Sequence, residues 1–309
     1  MKRIVSLLIA LLLVVTALVA CNNNKNNETT PAETTPNNTP VEKTYTVAIA
    51  VDSAINASNN KVSNTALVLV LDDAGKIVAA RFDAAEVTPT LEEGAVVAVP
   101  SVQTKVEKGD AYVGMAAGSF AKQTKAFEDY IVGKTAAEVA ALDLSLVAGC
   151  TMQSTKPLFQ ALVAEAAAST LKVTFKTADA ITAGIAISTS VSNKGKVSSD
   201  FAGVVMAGGK VVATVIDSCE QSFTVADGAI VAPATAALSK NEQGEGYKME
   251  AGSWAKQAQA FANTTVGKTV AELANLETVS DALAAAGCTM QYTTAGYKTT
   301  IIAAAGYAR

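Results

Sequence analysis

The sequence predicts an α+β fold made of two tandem repeats, each an antiparallel sheet with C-terminal helices packed on it. Three observations predict this fold: strand-like alternation opens each half, helical spacing of apolar residues follows it, and the same blocks recur in the same order. The recurring blocks are KVSNTALVLVLDDAGKIVAARFDA (61–84) with KVSSDFAGVVMAGGKVVATVIDS (196–218), and GSFAKQTKAFEDYIVGKTAAEVAAL (118–142) with GSWAKQAQAFANTTVGKTVAELANL (252–276). We therefore expect one repeat over residues 44–169 and a second over residues 170–309.

Each repeat opens with predicted strands. The segments TYTVAIAVDSA, from Thr44, and TAGIAISTSVS, from Thr182, are rich in β-branched residues and end in Ser-rich or Asn-rich clusters. Two apolar runs then flank a short turn, at Asp72–Gly75 in the first repeat and at Ala207–Gly209 in the second. Because glycine readily supplies the positive φ that tight hairpins need, both places are predicted to be antiparallel hairpins.

The second half of each repeat is predicted to begin with an amphipathic helix. Phe120, Gln123 and Phe127 recur at spacings of three and four, which indicates a helix over residues 119–131. Tyr130 and Ile131 continue this spacing. The matching residues of the second repeat are Trp254, Gln257, Phe261 and Thr265.

Gly-Lys-Thr follows that helix in both repeats, at 133–135 and 267–269. Glycine is predicted to end the helix, and the threonine is placed to cap a short helix after it. A final helix is predicted over residues 157–168 and roughly 295–305. Pro157 is compatible with that helix only in its first turn.

The N-terminus has the features of an export signal. Lys2 and Arg3 precede an apolar run from Ile4 to Ala20, and Leu-Val-Ala closes the run before Cys21. This ending resembles a bacterial lipobox, which implies cleavage before Cys21 and acylation of its thiol. The alternative is a single transmembrane anchor, since the run is almost long enough to span a bilayer. We expect a lipoprotein, because a polar tract begins at once and no basic cluster follows.

Residues 1–20 are thus the predicted signal peptide and residues 21–43 a disordered tether. The tether is rich in Asn and Thr, contains three of the seven prolines of the chain, and has no apolar cluster that could offset the entropy of ordering. We expect the protein to lie outside the cytoplasm, anchored to the bacterial cell membrane by acyl chains such as palmitate on Cys21.

Composition argues against several functional classes. The net charge is −4 with no block of Lys or Arg, so we expect no nucleic-acid partner. The chain contains no histidine, which excludes His-based catalysis and most zinc sites, and we expect no metal. Apart from the N-terminal cysteine, the chain has Cys150, Cys219 and Cys288, an odd set that cannot form a complete disulfide framework. We expect each of these three to be a small buried hydrophobe.

One hexapeptide is kept unchanged in a chain whose other positions mostly exchange Ala, Val and Thr. Ala-Gly-Cys-Thr-Met-Gln occupies residues 148–153 and returns at residues 286–291. In both places it is predicted to lead into the N-terminus of the last helix, where free amide hydrogens and the helix dipole attract anions such as phosphate. Glycine would allow a sharp turn or a close approach of the backbone, and threonine would either bind a ligand or cap the helix.

On these residues the chain resembles the FMN-binding domain of bacterial extracellular lipoproteins and membrane redox pumps. That family has a Ser-Gly-Ala-Thr type motif before its C-terminal helix, and a flavin transferase esterifies the threonine to the phosphate of FMN. The family's serine corresponds here to Ala148 and Ala286. The resemblance implies a cofactor site, with FMN bound covalently through Thr151 or Thr289. Its residues would be Gly149, Cys150, Thr151, Gly287, Cys288 and Thr289.

The function that the resemblance implies is a membrane-anchored flavin carrier that takes electrons from a membrane donor. We expect an electron-transfer or binding protein rather than a catalyst, and no catalytic residue is predicted. The alternative is a noncatalytic cell-envelope lipoprotein whose duplicated domains bind a ligand or a protein without flavin. In that case the threonines are helix caps in a scaffold.

Two further patterns have a structural and a functional interpretation. Gly133-Lys134-Thr135 looks like the end of a phosphate-binding loop, but Glu128 stands where that loop needs its first glycine, and a helix stop is favoured. Four aromatic residues could stack on a flavin ring, although aromatic residues at helical spacing are more often part of a core. They are Phe120, Trp254, Tyr112 and Tyr247.

Overall fold

A computed structural model describes residues 41–112, 117–290 and 293–309. The chain divides into two units, Met1–Thr39 and Pro40–Arg309, and all elements described below belong to the second. The predicted signal peptide, Cys21 and the tether up to residue 40 lie outside the described residues. Within the described ranges, no helix is both long and apolar enough to cross a membrane.

The described part of the chain is a mixed α+β structure with antiparallel sheets, as predicted, and it contains thirteen strands and eight α-helices. The strands are β1 Lys43–Asn56, β2 Lys61–Asp72, β3 Ile77–Val87, β4 Thr90–Glu92, β5 Ala95–Ala98, β6 Val173–Thr177, β7 Ile181–Val191, β8 Lys196–Ala207, β9 Lys210–Ser222, β10 Thr224–Ala226, β11 Ala229–Val231, β12 Lys248–Met249 and β13 Gly252–Ser253. The helices are α1 Phe120–Ile131, α2 Ala136–Ala140, α3 Thr155–Ala168, α4 Lys240–Gln243, α5 Trp254–Asn263, α6 Val270–Leu273, α7 Asp281–Ala285 and α8 Thr294–Gly306.

Two main sheets organise this part of the chain. One has the strand order β3-β2-β1-β6 and the other β7-β8-β9, and all neighbouring strands are antiparallel. The predicted hairpins join β2 to β3 and β8 to β9. Gly75 has φ +74°, and Gly208 and Gly209 have φ +55° and +77°, so the turns use the conformation that glycine permits without a steric penalty.

Strand β6 was not predicted, and it crosses from one half of the chain to the other. It follows α3, within the segment assigned to the second repeat, yet it pairs with β1, placing Val173 opposite Val47. A strand in this position covers the free edge of β1, where unpaired backbone groups would otherwise be left. The boundary between residues 169 and 170 stays a prediction.

The two sheets pack face to face, and helices cover their outer faces. Alternate residues of β1 and β2, such as Val47 and Val68, share a core with Phe201 and Val205 of β8. The other alternate set packs against α1 and α3 in the first half, and α5 and α8 cover the second sheet in the same way. Because both faces of each sheet are buried, runs such as ALVLVL (66–71) are apolar at every position.

The sheets approach closely at Gly203. A Cβ on this residue would lie 2.1 Å from Cγ2 of Val68 on the opposite sheet and 2.9 Å from Cγ2 of Val215. Real carbon atoms do not come that close, so the absence of a side chain sets the spacing of the sheets here.

The helix boundaries follow the predicted signals. Gly133 and Gly267 have φ +81° and +82° after α1 and α5, and Thr135 and Thr269 each form a capping box at the start of the next short helix. Helix α3 begins two residues before its predicted start, and α8 begins one residue before its predicted start.

One predicted helical position was wrong. Thr265 was expected to lie on the apolar face of the helix, but α5 ends at Asn263. The hydroxyls of Thr264 and Thr265 donate to the carbonyl oxygens of Phe261 and Ala262, at 2.7 and 2.6 Å. Threonine side chains compete for the backbone acceptors in this way, which favours an early end to the helix.

Candidate functional site

The two hexapeptide loops lie where they were predicted, directly before the last helix of each half. Residues 148–153 precede α3, and the described residues 286–290 precede α8. Gly149 and Gly287 have φ +75° and +91°, so both loops turn at a residue for which a side chain would be strained. A Cβ on Gly287 would meet no atom within 4 Å, so this loop borders open space.

A buried glutamine holds the threonine of the first loop. Gln123, on α1, is fully buried, and its Oε1 atom accepts hydrogen bonds from the backbone nitrogen and the hydroxyl of Thr151, at 2.7 and 3.0 Å. Thr151 is itself exposed. Since the hydroxyl hydrogen is donated inward, the lone pairs of the threonine oxygen are left free to accept from outside.

The second loop repeats this arrangement. Gln257, on α5, is fully buried, and its Oε1 atom accepts from the backbone nitrogen and the hydroxyl of Thr289, both at 2.8 Å. Thr289 is exposed. Sequence reasoning placed both glutamines on the helices but did not connect them to the loops. The available signal was a glutamine at the same position, between the two aromatic residues of the helix face, in both blocks.

The two glutamines differ at their amide nitrogens. Nε2 of Gln123 donates to the carbonyl oxygen of Gly118 at 3.0 Å, whereas Nε2 of Gln257 has no hydrogen-bond partner among the described residues. A buried donor without a partner costs about 1–3 kcal/mol. The second contact is therefore the less stable of the two.

The cysteines of the loops point into the core. Cys150 is 3% exposed and Cys288 is 1% exposed, and burial raises the pKa of both thiols. Cys219 is also buried, and the described residues contain no disulfide. These thiols therefore contribute packing, and of the predicted site residues only the glycines and threonines face the surface.

A lysine in the first turn of α3 is used by the fold. Lys156 is 1% exposed, and its Nζ atom donates to the carbonyl oxygens of Leu144 and Cys150, at 2.5 and 3.1 Å. Lys156 therefore holds the first loop through its carbonyl oxygens. Its buried ammonium group is not available to a ligand at the surface. In the second half Thr294 occupies the corresponding position, and its hydroxyl donates to the carbonyl oxygen of Thr278 at 2.5 Å.

A lysine and aromatic cluster lies near each loop, and sequence reasoning missed it. Nζ of Lys105 lies 5.2 Å from the ring centroid of Tyr112 and 5.3 Å from that of Phe120, and it pairs with Glu86 at 2.8 Å. Such contacts combine a cation–π attraction with an ion pair. The contacts with Lys105 help to hold the rings of Tyr112 and Phe120 against the core of the first half.

The second half has the same cluster. Nζ of Lys240 lies 4.9 Å from the centroid of Tyr247 and 5.4 Å from that of Trp254, and it pairs with Glu220 at 3.0 Å. The sequence signal is the pattern [Ser/Thr]-Lys-x-Glu-x-Gly-x-x-Tyr at 104–112 and 239–247. Phe120 and Trp254, considered above as flavin-stacking residues, are 2% and 1% exposed and belong to the two helix-facing cores.

A buried aspartate supports each of these segments. Asp83 accepts from the backbone nitrogens of Ala84 and Val106, at 2.7 and 3.1 Å, and burial raises its pKa to about 7. Asp217 accepts from the nitrogens of Ser218 and Asn241, at 2.7 and 3.0 Å, and burial raises its pKa to about 7 as well.

Four cavities of about 210 to 350 Å³ in the described part of the chain are lined by residues other than the loop threonines. Over the same residues, no group of three or more Cys, Asp or Glu side chains is placed to hold a metal ion. Thr151 and Thr289 are exposed as residues, and each follows a glycine with positive φ two positions earlier.

Comparisons of the chain with protein-family models, with curated proteins and with solved structures found no match.

Proposed function

We propose that this protein carries FMN outside the cytoplasm, esterified through Thr151 and Thr289, and acts as an electron carrier tethered to the membrane through Cys21. The observation that supports the proposal is that two exposed threonines each donate their hydroxyl to a buried glutamine, at 3.0 or 2.8 Å. Its electrons would come from a membrane donor. The flavin, when bound, would supply reversible one- and two-electron chemistry.

The residues present are compatible with the phosphate end of FMN. Each hydroxyl lies on an exposed residue, after a glycine with positive φ and before the N-terminus of a helix of thirteen or fourteen residues, where the dipole favours negative charge. Gln123 and Gln257 would orient the threonine oxygen outward by accepting its hydrogen. Phe120 and Trp254 are buried in the cores and are not available to stack on the flavin ring. The ring would therefore lie against the outer surface of the loop.

We further propose that the two halves arose by duplication. The paired features that support this are the two β-hairpins with glycine turns, the two capping boxes after Gly-Lys, the two glutamine–threonine contacts and the two lysine–aromatic clusters. A duplicated carrier would have two flavins, one in each half.

The mass of the protein tests the flavin proposal. We expect coexpression with a bacterial flavin transferase to give a yellow protein whose mass rises by two FMN groups. Thr151→Ala and Thr289→Ala should each remove one group, and the double variant should remove all. Ser154→Ala alters an exposed hydroxyl next to the first loop and should leave the mass gain unchanged. An unmodified wild-type protein would contradict the proposal.

The second candidate is a noncatalytic cell-envelope lipoprotein that binds a ligand or a protein partner without flavin. It is favoured by one observation: Oε1 of each glutamine holds both the backbone nitrogen and the hydroxyl of its threonine, which is sufficient as a purely structural clamp. In this case Thr151→Ala would lower stability by about 1 kcal/mol, and neither the wild type nor the variant would turn yellow or gain the mass of FMN.

A further inference from the structure

A cavity of about 350 Å³ opens in the second half of the chain, beside the turn that follows α5. Its volume lies within the range of roughly 300–1,000 Å³ that is usual for small-molecule sites. The lining combines apolar and polar side chains. Among them are Thr264, Lys268, Asn275, Leu276, Glu277 and Ser280.

The first half shows what fills the corresponding space there. In the matching segments AKQTKAFEDYIVGKT and AKQAQAFANTTVGKT, Tyr130 stands at the position of Thr264 and Lys134 at the position of Lys268. The Tyr130 ring packs against the first core, and Nζ of Lys134 lies 4.8 Å from its centroid. The first half therefore has a phenol ring beneath an ammonium group.

In the second half that ring is missing and the segment beside it is longer. Thr264 is too small to reach the space of a tyrosine ring, and its hydroxyl is turned back to the carbonyl oxygen of Phe261 at 2.7 Å. Ten residues separate Leu276 from Gly287, against six between Leu142 and Gly149, and the extra residues form α7 at the wall of the cavity.

The ammonium group that would cover such a ring is still present. Lys268 is partly buried and lines the cavity, and the described residues provide its Nζ atom with no ion pair or hydrogen bond. A cation close to an aromatic face gains about 0.5–1 kcal/mol at sites that are partly exposed to solvent. An unpaired lysine over a cavity of ring size is thus suited to bind an aromatic ligand.

We propose that this cavity binds a neutral phenol-like ligand, with its ring beneath Lys268 in the place that the Tyr130 ring takes in the first half. The cavity exceeds the volume of one ring, so the ligand has a short polar extension that reaches Asn275 and Ser280. Glu277 in the lining disfavours an acidic substituent. This proposal does not depend on flavin at the threonines, because it rests on other residues.

A binding experiment with the missing side chain itself tests the proposal. The probe is p-cresol, which is the side chain of tyrosine, and 4-methylcyclohexanol is a control of similar size without an aromatic face. In NMR titrations of the wild-type protein we expect p-cresol to shift signals of the cavity residues and to bind more tightly than the control. No binding, or equal affinity for the two compounds, would overturn the proposal.

Four variants give this experiment its controls. Thr264→Tyr fills the cavity and should weaken p-cresol at least tenfold, whereas Thr264→Ala keeps the cavity and should bind as the wild type does. Lys268→Met should weaken p-cresol by about two- to fivefold and abolish the preference over the control compound. Tyr130→Thr should create a second p-cresol site in the first half. Wild-type affinity in a folded Thr264→Tyr variant would place the binding elsewhere and refute the assignment.

Discussion

Glu128 on α1 accepts a hydrogen bond from Nη2 of Arg309 at 3.2 Å, although the two residues are 181 positions apart in the chain. Nη1 of Arg81 lies 3.4 Å from the same carboxylate oxygen, and the nitrogen of Phe82 donates to the other oxygen at 2.9 Å. Glu128 is 1% exposed. One buried carboxylate thus joins the end of the second half to the first sheet.

We expect Glu128→Ala to lower the free energy of unfolding by about 1–3 kcal/mol, because it leaves the buried backbone donor of Phe82 without an acceptor and removes the carboxylate that pairs with Arg81 and Arg309. Burial raises the pKa of Glu128 despite the neighbouring Arg81. Glu128→Gln should therefore cost less than the alanine variant, since it keeps an acceptor for Phe82 and avoids burying a charge. Urea unfolding followed by circular dichroism measures both.

The neighbouring residue Asp129 provides the control for this experiment. It is exposed and pairs with Lys125 at 2.6 Å across one helical turn. Exposed pairs of this kind contribute less than about 1 kcal/mol, so Asp129→Ala should have a small effect. Equal losses for the two alanine variants would contradict the assigned role of the Glu128 network.

The close approach of the two sheets predicts a second effect. Gly203→Ala should destabilise the protein by about 1–3 kcal/mol, because the new methyl group collides with Val68 on the opposite sheet. Combining it with Val68→Ala should recover part of the loss, and a double-mutant cycle should show a coupling of at least about 0.5 kcal/mol.

Gly296 is the matched glycine for this test. It lies in α8, and a Cβ there would have only one ordinary contact, 3.6 Å from Oδ2 of Asp200. Gly296→Ala should stabilise the protein by about 0.5–1 kcal/mol through its better helix propensity.

Additive effects of Gly203→Ala and Val68→Ala would show that the sheets are not in contact at this point.

The unequal glutamines predict unequal losses. Gln123→Ala removes three hydrogen bonds, to Thr151 twice and to Gly118, whereas Gln257→Ala removes only the two to Thr289. Gln257→Ala also deletes the Nε2 donor, which had no hydrogen-bond partner among the described residues. We expect Gln123→Ala to lower the free energy of unfolding by about 1 kcal/mol more than Gln257→Ala. Thermal unfolding of the two variants measures the difference, and a larger loss for Gln257→Ala would be inconsistent with this geometry.

The buried aspartates predict a pH dependence of stability. Burial raises the pKa of Asp83 to about 7, while the unfolded chain has an aspartate pKa of about 3.9. Between these values the folded state binds the extra proton, so this residue's contribution to the free energy of unfolding falls as pH rises from about 4 to 7 and is level above 7.

Asp83→Asn removes this contribution. Relative to the wild type, we expect the variant to gain stability as pH rises from 4.5 to 7 and then to show a constant difference, measured by urea unfolding at each pH. Asp217→Asn should behave in the same way, because burial raises that pKa to about 7 as well. A difference that does not change between pH 4.5 and 7 would mean that the hydrogen bonds to these carboxylates outweigh their burial.

Local patterns in the sequence were sufficient for several elements. The glycines at 75, 208 and 209 predicted the hairpin turns, because few other residues adopt their positive φ without strain. The threonines after Gly-Lys predicted the capped helices, since a cap involves residues only three positions apart. The position of the hexapeptide before the last helix was predicted on the same basis.

The early end of α5 and the strand β6 were not predicted, for two different reasons. In α5 the reason is two threonine hydroxyls that take backbone acceptors, an effect that the apolar spacing of the helix does not report. In β6 the reason is a pairing with β1, which lies more than a hundred residues earlier in the chain.

What the sequence by itself determined is therefore the two long hairpins, the helices before and after the Gly-Lys-Thr turns with their caps, and the loops that contain Thr151 and Thr289. The tertiary structure alone decided that Gln123 and Gln257 hold these threonines, that the sheets share a core at Gly203, and that a cavity replaces a tyrosine ring in the second half. The physical reason is the range of the interactions. Turns and caps depend on backbone conformation within a few residues. The glutamine–threonine contacts, the packing at Gly203 and the cavity depend instead on which surfaces, distant in the sequence, are buried against each other.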